Sequence, residues 1–349
     1  MSKPTLPIRI LSYNIRWAAP PAKLLQNEKP WELRGPLVLE HLLQQTGSEG
    51  VVKDGLGEVK VEGTMAAFIC LQECLHEQLE DILAGLNAPR RDAESALRAQ
   101  DPEEPKSNTD PLLGPGREME WSHIGVGRDD GMRKGEYIPI IYPTHIFKLL
   151  SSETVWLSPT PGVPSLGWDA VKPRVLTLGV FEHRVLGRRV VVANTHLDHE
   201  GREARVKSVS VILEAVERAK RTWVEEEGEM GVVVAGDWNE GDGGEACREM
   251  ERGGMRDLYH VVGEDRREGG EATFTGFRGE SGERIDYIWV GPGEGVCGAE
   301  GKGGGRGEEE EKGKKCVWRV ERYKVLDNVA EDGVYKSDHK CLVEDLVLL

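Results

Sequence analysis

Three short stretches concentrate side chains able to do acid–base and metal chemistry. VVVAGDWN (232–239) delivers Asp237 and Asn239 at the mouth of an apolar run, NTHLDH (194–199) brings Asn194, His196 and Asp198, and SDH (337–339) sets Asp338 beside His339. Asn14 closes ILSYN, Glu73 closes FICLQE, Glu136 precedes YIPIIY, and Asp286 stands inside the apolar run RIDYIWV. A buried strand does not keep a carboxylate unless the group is paired or binds a metal. One such residue would be noise; seven strands that each carry polar chemistry point to a shared site. Residues two apart on an extended chain project to the same side, so Asp237 and Asn239 can address one ligand. The competing reading is an ordinary turn, because Asp, Asn and Gly favour turns through local hydrogen bonds. Hard oxygen donors without a Cys–His cluster suit Mg²⁺ or Mn²⁺, and a histidine among carboxylates is equipped for proton transfer.

What must position these groups is a set of strands. Apolar β-type runs occupy 8–15, 66–72, 137–142, 174–183, 188–197, 230–238, 284–290 and 341–348. Helical periodicity appears at 37–45, 75–86 and 203–226; in the last, Val206, Val209, Ile212, Leu213, Val216 and Ala219 recur at three- and four-residue spacing. Many strands and few helices imply packed sheets flanked by helices. Residues 88–118 (polar, Pro-rich), 291–315 (Gly-rich with charge blocks) and, more mildly, 47–63 have too little apolar surface to offset ordering entropy, so they are expected to be flexible surface insertions. GKGGGRG lacks the spacing of a phosphate-binding P-loop.

Composition narrows the partners. With 45 basic against 61 acidic residues the net charge is −16, a surface that repels a polyanion at long range. A small phosphorylated substrate stays open, since a basic cleft or bound divalent cations reverse the sign locally. No apolar run approaches a membrane span and no signal-like leader is evident, and the six cysteines are scattered without CxxC pairing. Cys70 and Cys74 read as small buried residues at a strand end. A reduced, intracellular, cytoplasmic monomer without an evident protein partner is expected.

In order along the chain, SYNIR, LQE, NTHLD, GDWN, RIDYI and SDH resemble the motifs of the endonuclease/exonuclease/phosphatase superfamily, whose fold is that of deoxyribonuclease I. They span residues 8 to 346, and NEKPW, GVGRDDG, KGEY, ETVWLSPTP and THLDxxGxxAR look like a bacterial and fungal subgroup. The resemblance implies one domain over 1–349, a four-layer α/β sandwich with two mixed β-sheets packed face to face and helices outside. It also implies a Mg²⁺ ion (Mn²⁺ as an alternative) on Glu73, with Asn14 and Asp338 beside it, and His339 as general base oriented by Asp286. Asp237 and Asn239 would lie by the scissile phosphate, His196 would donate from the opposite side, and Glu136 would take the place of a second Glu–His pair. Arg128 would read the non-reacting part of the substrate or form a polar turn. Asn194, Asp198 and Arg205 join the substrate side, with a salt bridge at a helix N-terminus as the alternative for the last two. Trp31 and Arg34 would pack the first helix, and His41, His76, His123, His183 and His260 would be structural or surface residues.

The implied function is Mg-dependent phosphoester hydrolysis by a His-activated water, with phosphodiesterase or exonuclease activity placed first. A phosphomonoesterase on a small sugar- or inositol-type phosphate is the alternative that the acidic charge favours, and a non-catalytic scaffold is the third reading. Two departures from the subgroup stand out: Ile140 to Thr144 replace a string that usually carries a basic residue, and the Gly-rich insertion separates RIDYI from SDH.

Overall fold

The computed structural model describes residues 4–47, 50–54, 57–61, 66–88, 120–223, 230–279, 282–298 and 316–349. The chain runs β1 (Leu6–Asn14), α1 (Trp31–Thr46), β2 (Gly50–Asp54), β3 (Gly57–Val61), β4 (Ala67–Gln72), α2 (His76–Leu86), β5 (Trp121–Ile124) and β6 (Ile140–Pro143). Next come β7 (Phe147–Trp156), β8 (Val175–His183), β9 (Arg189–His196), α3 (Arg202–Thr222), β10 (Gly231–Asp237), α4 (Glu245–Arg252), β11 (Arg256–Asp257) and α5 (Leu258–Val261). The last elements are β12 (Arg267–Glu268), β13 (Asp286–Gly291), β14 (Val296–Gly298), β15 (Trp318–Val325) and β16 (Leu342–Leu348).

Eight strands form one sheet in the order β12-β15-β16-β1-β4-β6-β5, with β14 beside β15; six form a second sheet in the order β11-β13-β10-β9-β8-β7. Both sheets are mixed, since β1 pairs with β4 and β9 with β10 in parallel while their other neighbours are antiparallel. The strand sequences lack a polar face because both faces are covered. On β1, Leu6, Ile8 and Ile10 enter the layer between the sheets, where they meet Val190, Val192, Val233, Ala235, Ile288 and Val290 of the other sheet. Leu11 and Tyr13 point the opposite way, onto Val38 and Leu42 of α1 and Leu79 and Ile82 of α2. The outer face of the second sheet packs Val191, Ala193, Val232 and Val234 against Val209, Ile212 and Val216 of α3 and Met250 of α4. Four layers result: helices, sheet, sheet, helices.

Each of the eight apolar runs contains a strand and each periodic segment a helix. The insertions differ from expectation. Within 47–63 the backbone forms the hairpin β2–β3. Residues 291–298 are built into the end of β13, a 3₁₀ turn and β14, which lies parallel to β15; 89–118 and 299–315 fall outside the described residues. Pairing Val296 with Trp318 brings the two ends of that insertion together, and Cys297 and Cys316 form a disulfide with their Cα atoms 6.1 Å apart. That corrects the expectation of a fully reduced chain. Cys70, Cys74, Cys247 and Cys341 are free and buried. Among the described residues no helix is long and apolar enough to cross a membrane.

Candidate active site

The layer between the sheets is apolar through its middle and turns polar at one end. The inward-facing positions that hold Ile8 and Ile10 on β1 arrive at Asn14; those of Phe68 and Cys70 on β4 arrive at Gln72 and then Glu73. In the other sheet, Val192 is followed on the same face by Asn194 and His196, and Val233 and Ala235 by Asp237; Asp286 precedes Ile288 and Val290. The register sets Asp237 directly between His196 on the parallel strand and Asp286 on the antiparallel one. Period-two alternation along these three paired strands thus delivers three polar side chains in one row.

Close approach of β9 and β10 needs Gly236. Its φ is +154°, and a Cβ there would stand 2.2 Å from the Thr195 carbonyl oxygen. Three non-glycine residues at the mouth also hold left-handed backbone, Arg16 (φ 59°), Glu73 (φ 54°) and Asn239 (φ 48°). Such conformations cost energy and cluster where function over-determines the backbone.

His339 donates from Nδ1 to Asp286 Oδ2 at 2.8 Å. Its Nε2 lies 3.6 Å from Asp237 Oδ2, and His196 Nε2 lies 3.5 Å from that same oxygen. Asp237 also accepts from Asn14 Nδ2 (2.9 Å) and, through Oδ1, from the Asn239 N–H (2.9 Å). The local hydrogen bond that the turn reading expects is present, and it swings the Asn239 amide to 2.9 Å from His196 Nε2. Asp237, Asp286 and His339 are buried with their ligand-type atoms within 4.8 Å of one another.

Electrostatics assign charge states. Burial disfavours an ionised His339, but Asp286, Asp237 and Asp338 outweigh it and raise the ring to about 10. Burial and then Asp286 push Asp237 up to about 7. His196 is held well below its ordinary value by burial and by Arg174, Arg128 and His339. The surroundings thus favour the charged ring at His339, the neutral ring at His196 and a raised carboxyl at Asp237. The general-base reading of His339 uses the neutral ring, whereas its three carboxylate neighbours favour the charged one.

Glu73 and Asp338 supply the hard oxygens. Burial raises Asp338, which His339 offsets and the like charge of Glu73 reinforces. Burial also opposes ionisation of Glu73, but Arg16, His339 and hydrogen bonds from the Trp17 N–H (3.2 Å) and Asn14 Nδ2 (3.3 Å) leave it lowered. Glu73 makes ionisation of the buried Asp338 costlier, an influence that a divalent cation would offset. The donor set fits one, with Asn14 Oδ1, which accepts from the Arg16 N–H at 3.0 Å, keeping a second lone pair. Ser337 ties the segments together: its hydroxyl donates to the Asn14 carbonyl at 2.6 Å and accepts from the His339 N–H at 3.2 Å.

Other anticipated residues play different parts. Glu136 does not pair with a histidine; both its oxygens are taken by Arg128, at 2.6 and 2.8 Å, because the backbone bond from Arg128 N to Glu136 O brings the two arms of their loop together. Arg128 is thereby held in place by Glu136 through two of its five N–H groups. Asn194 is fully buried: its amide donates to the Leu71 and Pro139 carbonyls (2.8 and 2.9 Å) and accepts from Gln72 Nε2 (2.8 Å), a tie between the sheets. Asp198 accepts from the N–H groups of Glu200 and Gly201 ahead of α3 and pairs with Arg174 at 3.2 Å, while Arg205 reaches the Asp198 carbonyl at 2.9 Å. This is the structural alternative for both, with Arg174 as the cation in place of Arg205. Arg16, Glu28, Arg174 and Ser337 were missed as site neighbours. Their signal was present only as unassigned letters inside or beside the motifs.

The family model described as Endonuclease/Exonuclease/phosphatase family matches residues 11–339. Among solved structures, an endonuclease/exonuclease/phosphatase family protein from Bacteroides thetaiotaomicron is 25% identical, with a TM-score of 0.71 over 100% of this chain and 97% of that one. A mannosyl-6-phosphatase from the same organism is 26% identical, with a TM-score of 0.68 over 97% and 99%. The human Nocturnin catalytic domain with bound sulfate is 17% identical and shares the fold, with a TM-score of 0.58 over 99% and 98%. Comparison with curated proteins returns no match. The two sheets with their outer helices and the motif-bearing strand ends have one explanation: the chain belongs to the endonuclease/exonuclease/phosphatase family, whose members hydrolyse phosphoesters and generally depend on a divalent metal.

Proposed function

We propose that this chain is a hydrolase of phosphomonoesters carried by small molecules such as sugars or inositols, with residues 1–349 acting as one catalytic domain. The observation that carries the reading is the place of Asp237, with Oδ2 3.5 Å from His196 and 3.6 Å from His339 and its carboxyl raised to about 7. A base works best when its pKa lies near the working pH. Asp237 takes a proton from the attacking water. The His339 imidazolium, held by Asp286, faces the developing phosphoryl charge and supplies the leaving oxygen's proton as the P–O bond breaks. His196 and Asn239, paired with each other at 2.9 Å, border the phosphoryl group on the other side, and the products are the alcohol and inorganic phosphate. Glu73, Asp338 and Asn14 would hold the divalent ion, Mg²⁺ or Mn²⁺, which when bound polarises a phosphoryl oxygen and offsets the surrounding negative charge.

The sequence alone placed phosphodiesters first. Two observations support the reverse order: a net charge of −16, which disfavours a polynucleotide track, and the likeness to a mannosyl-6-phosphatase at 26% identity over 97% of this chain. The test is phosphate release from mannose 6-phosphate, an inositol phosphate and p-nitrophenyl phosphate, with Mg²⁺ or Mn²⁺ and with EDTA. Turnover should need the metal and fall roughly 10²- to 10⁴-fold in Asp237→Asn. Turnover that survives both EDTA and Asp237→Asn sinks the reading, and silence on every mono- and diester returns the scaffold alternative.

A further inference from the structure

Glu28 belongs to the NEKPW string ahead of α1 and has no part in the chemistry above. It is buried, and its carboxylate accepts from the Leu25 N–H at 2.9 Å and from Arg16 Nε at 3.3 Å, with Arg34 Nη2 3.9 Å away. Arg16 in turn sets Nη1 3.7 Å from Glu73 Oε2. Charges therefore alternate along one line, Arg34, Glu28, Arg16, Glu73, from the buried face of α1 to the carboxylate that would hold the metal.

One end of this line cannot shift. Arg34 is fully buried and donates to the carbonyls of Lys29, Ile15, Lys336, Arg16 and Trp17, which engages every N–H of its guanidinium. The Arg16 backbone is held as well, in the left-handed region and by a bond of 3.0 Å from Gln78 Nε2 to its carbonyl. What stays adjustable is the Arg16 guanidinium, which is shared between the carboxylates of Glu28 and Glu73. A cation resting on Glu73 competes with a divalent ion for the same oxygens.

We propose that Glu28 is a positioning residue that draws the Arg16 guanidinium back from Glu73 and so sets the affinity of the site for its divalent ion. The proposal rests on Glu73 being a metal ligand, as read above. Partners outside the coordination sphere typically change metal affinity by roughly 10- to 100-fold, which is the range expected when Arg16 loses Glu28 and falls wholly onto Glu73.

The experiment is calorimetric titration of the full chain with Mg²⁺ and Mn²⁺, without substrate, alongside thermal melts. Glu28→Gln should weaken binding by roughly 10- to 100-fold, Arg16→Met should tighten it, and the double variant should match Arg16→Met because no guanidinium remains to be held back. Glu73→Gln reports on the underlying assignment: if it leaves affinity unchanged, Glu73 is no ligand and the proposal falls with it. If Glu73→Gln weakens binding while Glu28→Gln does not, or the double variant stays as weak as Glu28→Gln, the proposal is overturned and the ligand stands. Glu28→Gln also strips a carboxylate from beside Arg34. Should it fail to fold, Arg16→Met decides alone, and unchanged or weakened affinity there refutes the mechanism.

Discussion

Replacing Asp286 with Asn separates the two roles that His339 could play. The carboxylate accepts from His339 Nδ1 at 2.8 Å in a buried setting, and it is the largest of the influences that lift the ring to about 10. A hydrogen bond to a charged partner is worth about 1.5–3 kcal/mol and a neutral one about 0.5–1.5. The exchange therefore removes about 1–2 kcal/mol, which at 1.36 kcal/mol per unit is about one pKa unit. Asp237, 3.6 Å away, still favours the charged ring. His339 in the variant should titrate about one unit lower, measured by NMR of the ring in metal-free protein. If the imidazolium is the working form, the alkaline limb of the pH–rate profile moves to lower pH, and the acidic limb, set by Asp237, falls as well because the Asp286 charge no longer raises that carboxyl. Stability gives a second reading. A histidine raised from 6.5 to about 10 contributes stability fully below pH 6.5 and loses it as pH rises through about 10, so the gap between wild type and variant should narrow across that window. Movement of the acidic limb with a fixed alkaline limb would show that His339 is the base after all.

Three further outcomes are expected. Asn194→Ala strands its buried partners on Leu71, Pro139 and Gln72 and should cost about 1–3 kcal/mol in a denaturant melt, with KM unchanged; a raised KM would put Asn194 back on the substrate. Gly236→Ala drives a Cβ to 2.2 Å from the Thr195 carbonyl and should cost at least about 1–3 kcal/mol together with kcat, since Asp237 follows directly; a variant as stable and active as wild type contradicts the close-approach argument. For a small substrate, kcat/KM should fall only mildly from 50 to 200 mM salt, whereas a ligand held by 6–10 phosphate contacts would lose roughly 10³–10⁵ in affinity.

Much of the site was readable because polar residues at the ends of apolar strands violate what a buried strand tolerates. Asn14, Glu73, His196, Asp237 and Asp286 all announce themselves this way, and the structure brings them to one end of the inter-sheet layer. Strands that break their own pattern were not legible. On β15 the buried Trp318 and Val320 and the buried Tyr323 and Val325 fall out of phase across a bulge between Val320 and Arg322, and β7 alternates only in part and is bulged between Leu149 and Ser151. The start of α1 carries no hydrophobic period, because its buried face is built from Trp31, Arg34 and Gly35, yet Trp31 and Arg34 pack there as the sequence implies. The partners of Asn194, Asp198 and Glu136 were not legible, because residue type reports hydrogen-bonding capacity, not whether a neighbour such as Gln72, Arg174 or Arg128 has already claimed it. The electrostatics of His339 depend on Asp286 and Asp237, brought to it from distant segments, as well as on the adjacent Asp338, and only the fold shows the first two.

The most direct test offers the enzyme one sugar with two esters: mannose 6-phosphate and the methyl diester of that same phosphate, with Mg²⁺ present. The two differ only in whether the phosphoryl group ends in a free oxygen, so binding of the sugar cancels from the ratio. A site built for monoesters should favour mannose 6-phosphate in kcat/KM by at least about tenfold, or 1.4 kcal/mol in the transition state. Equal or faster cleavage of the methyl diester would contradict the account and return the chain to the phosphodiesterases.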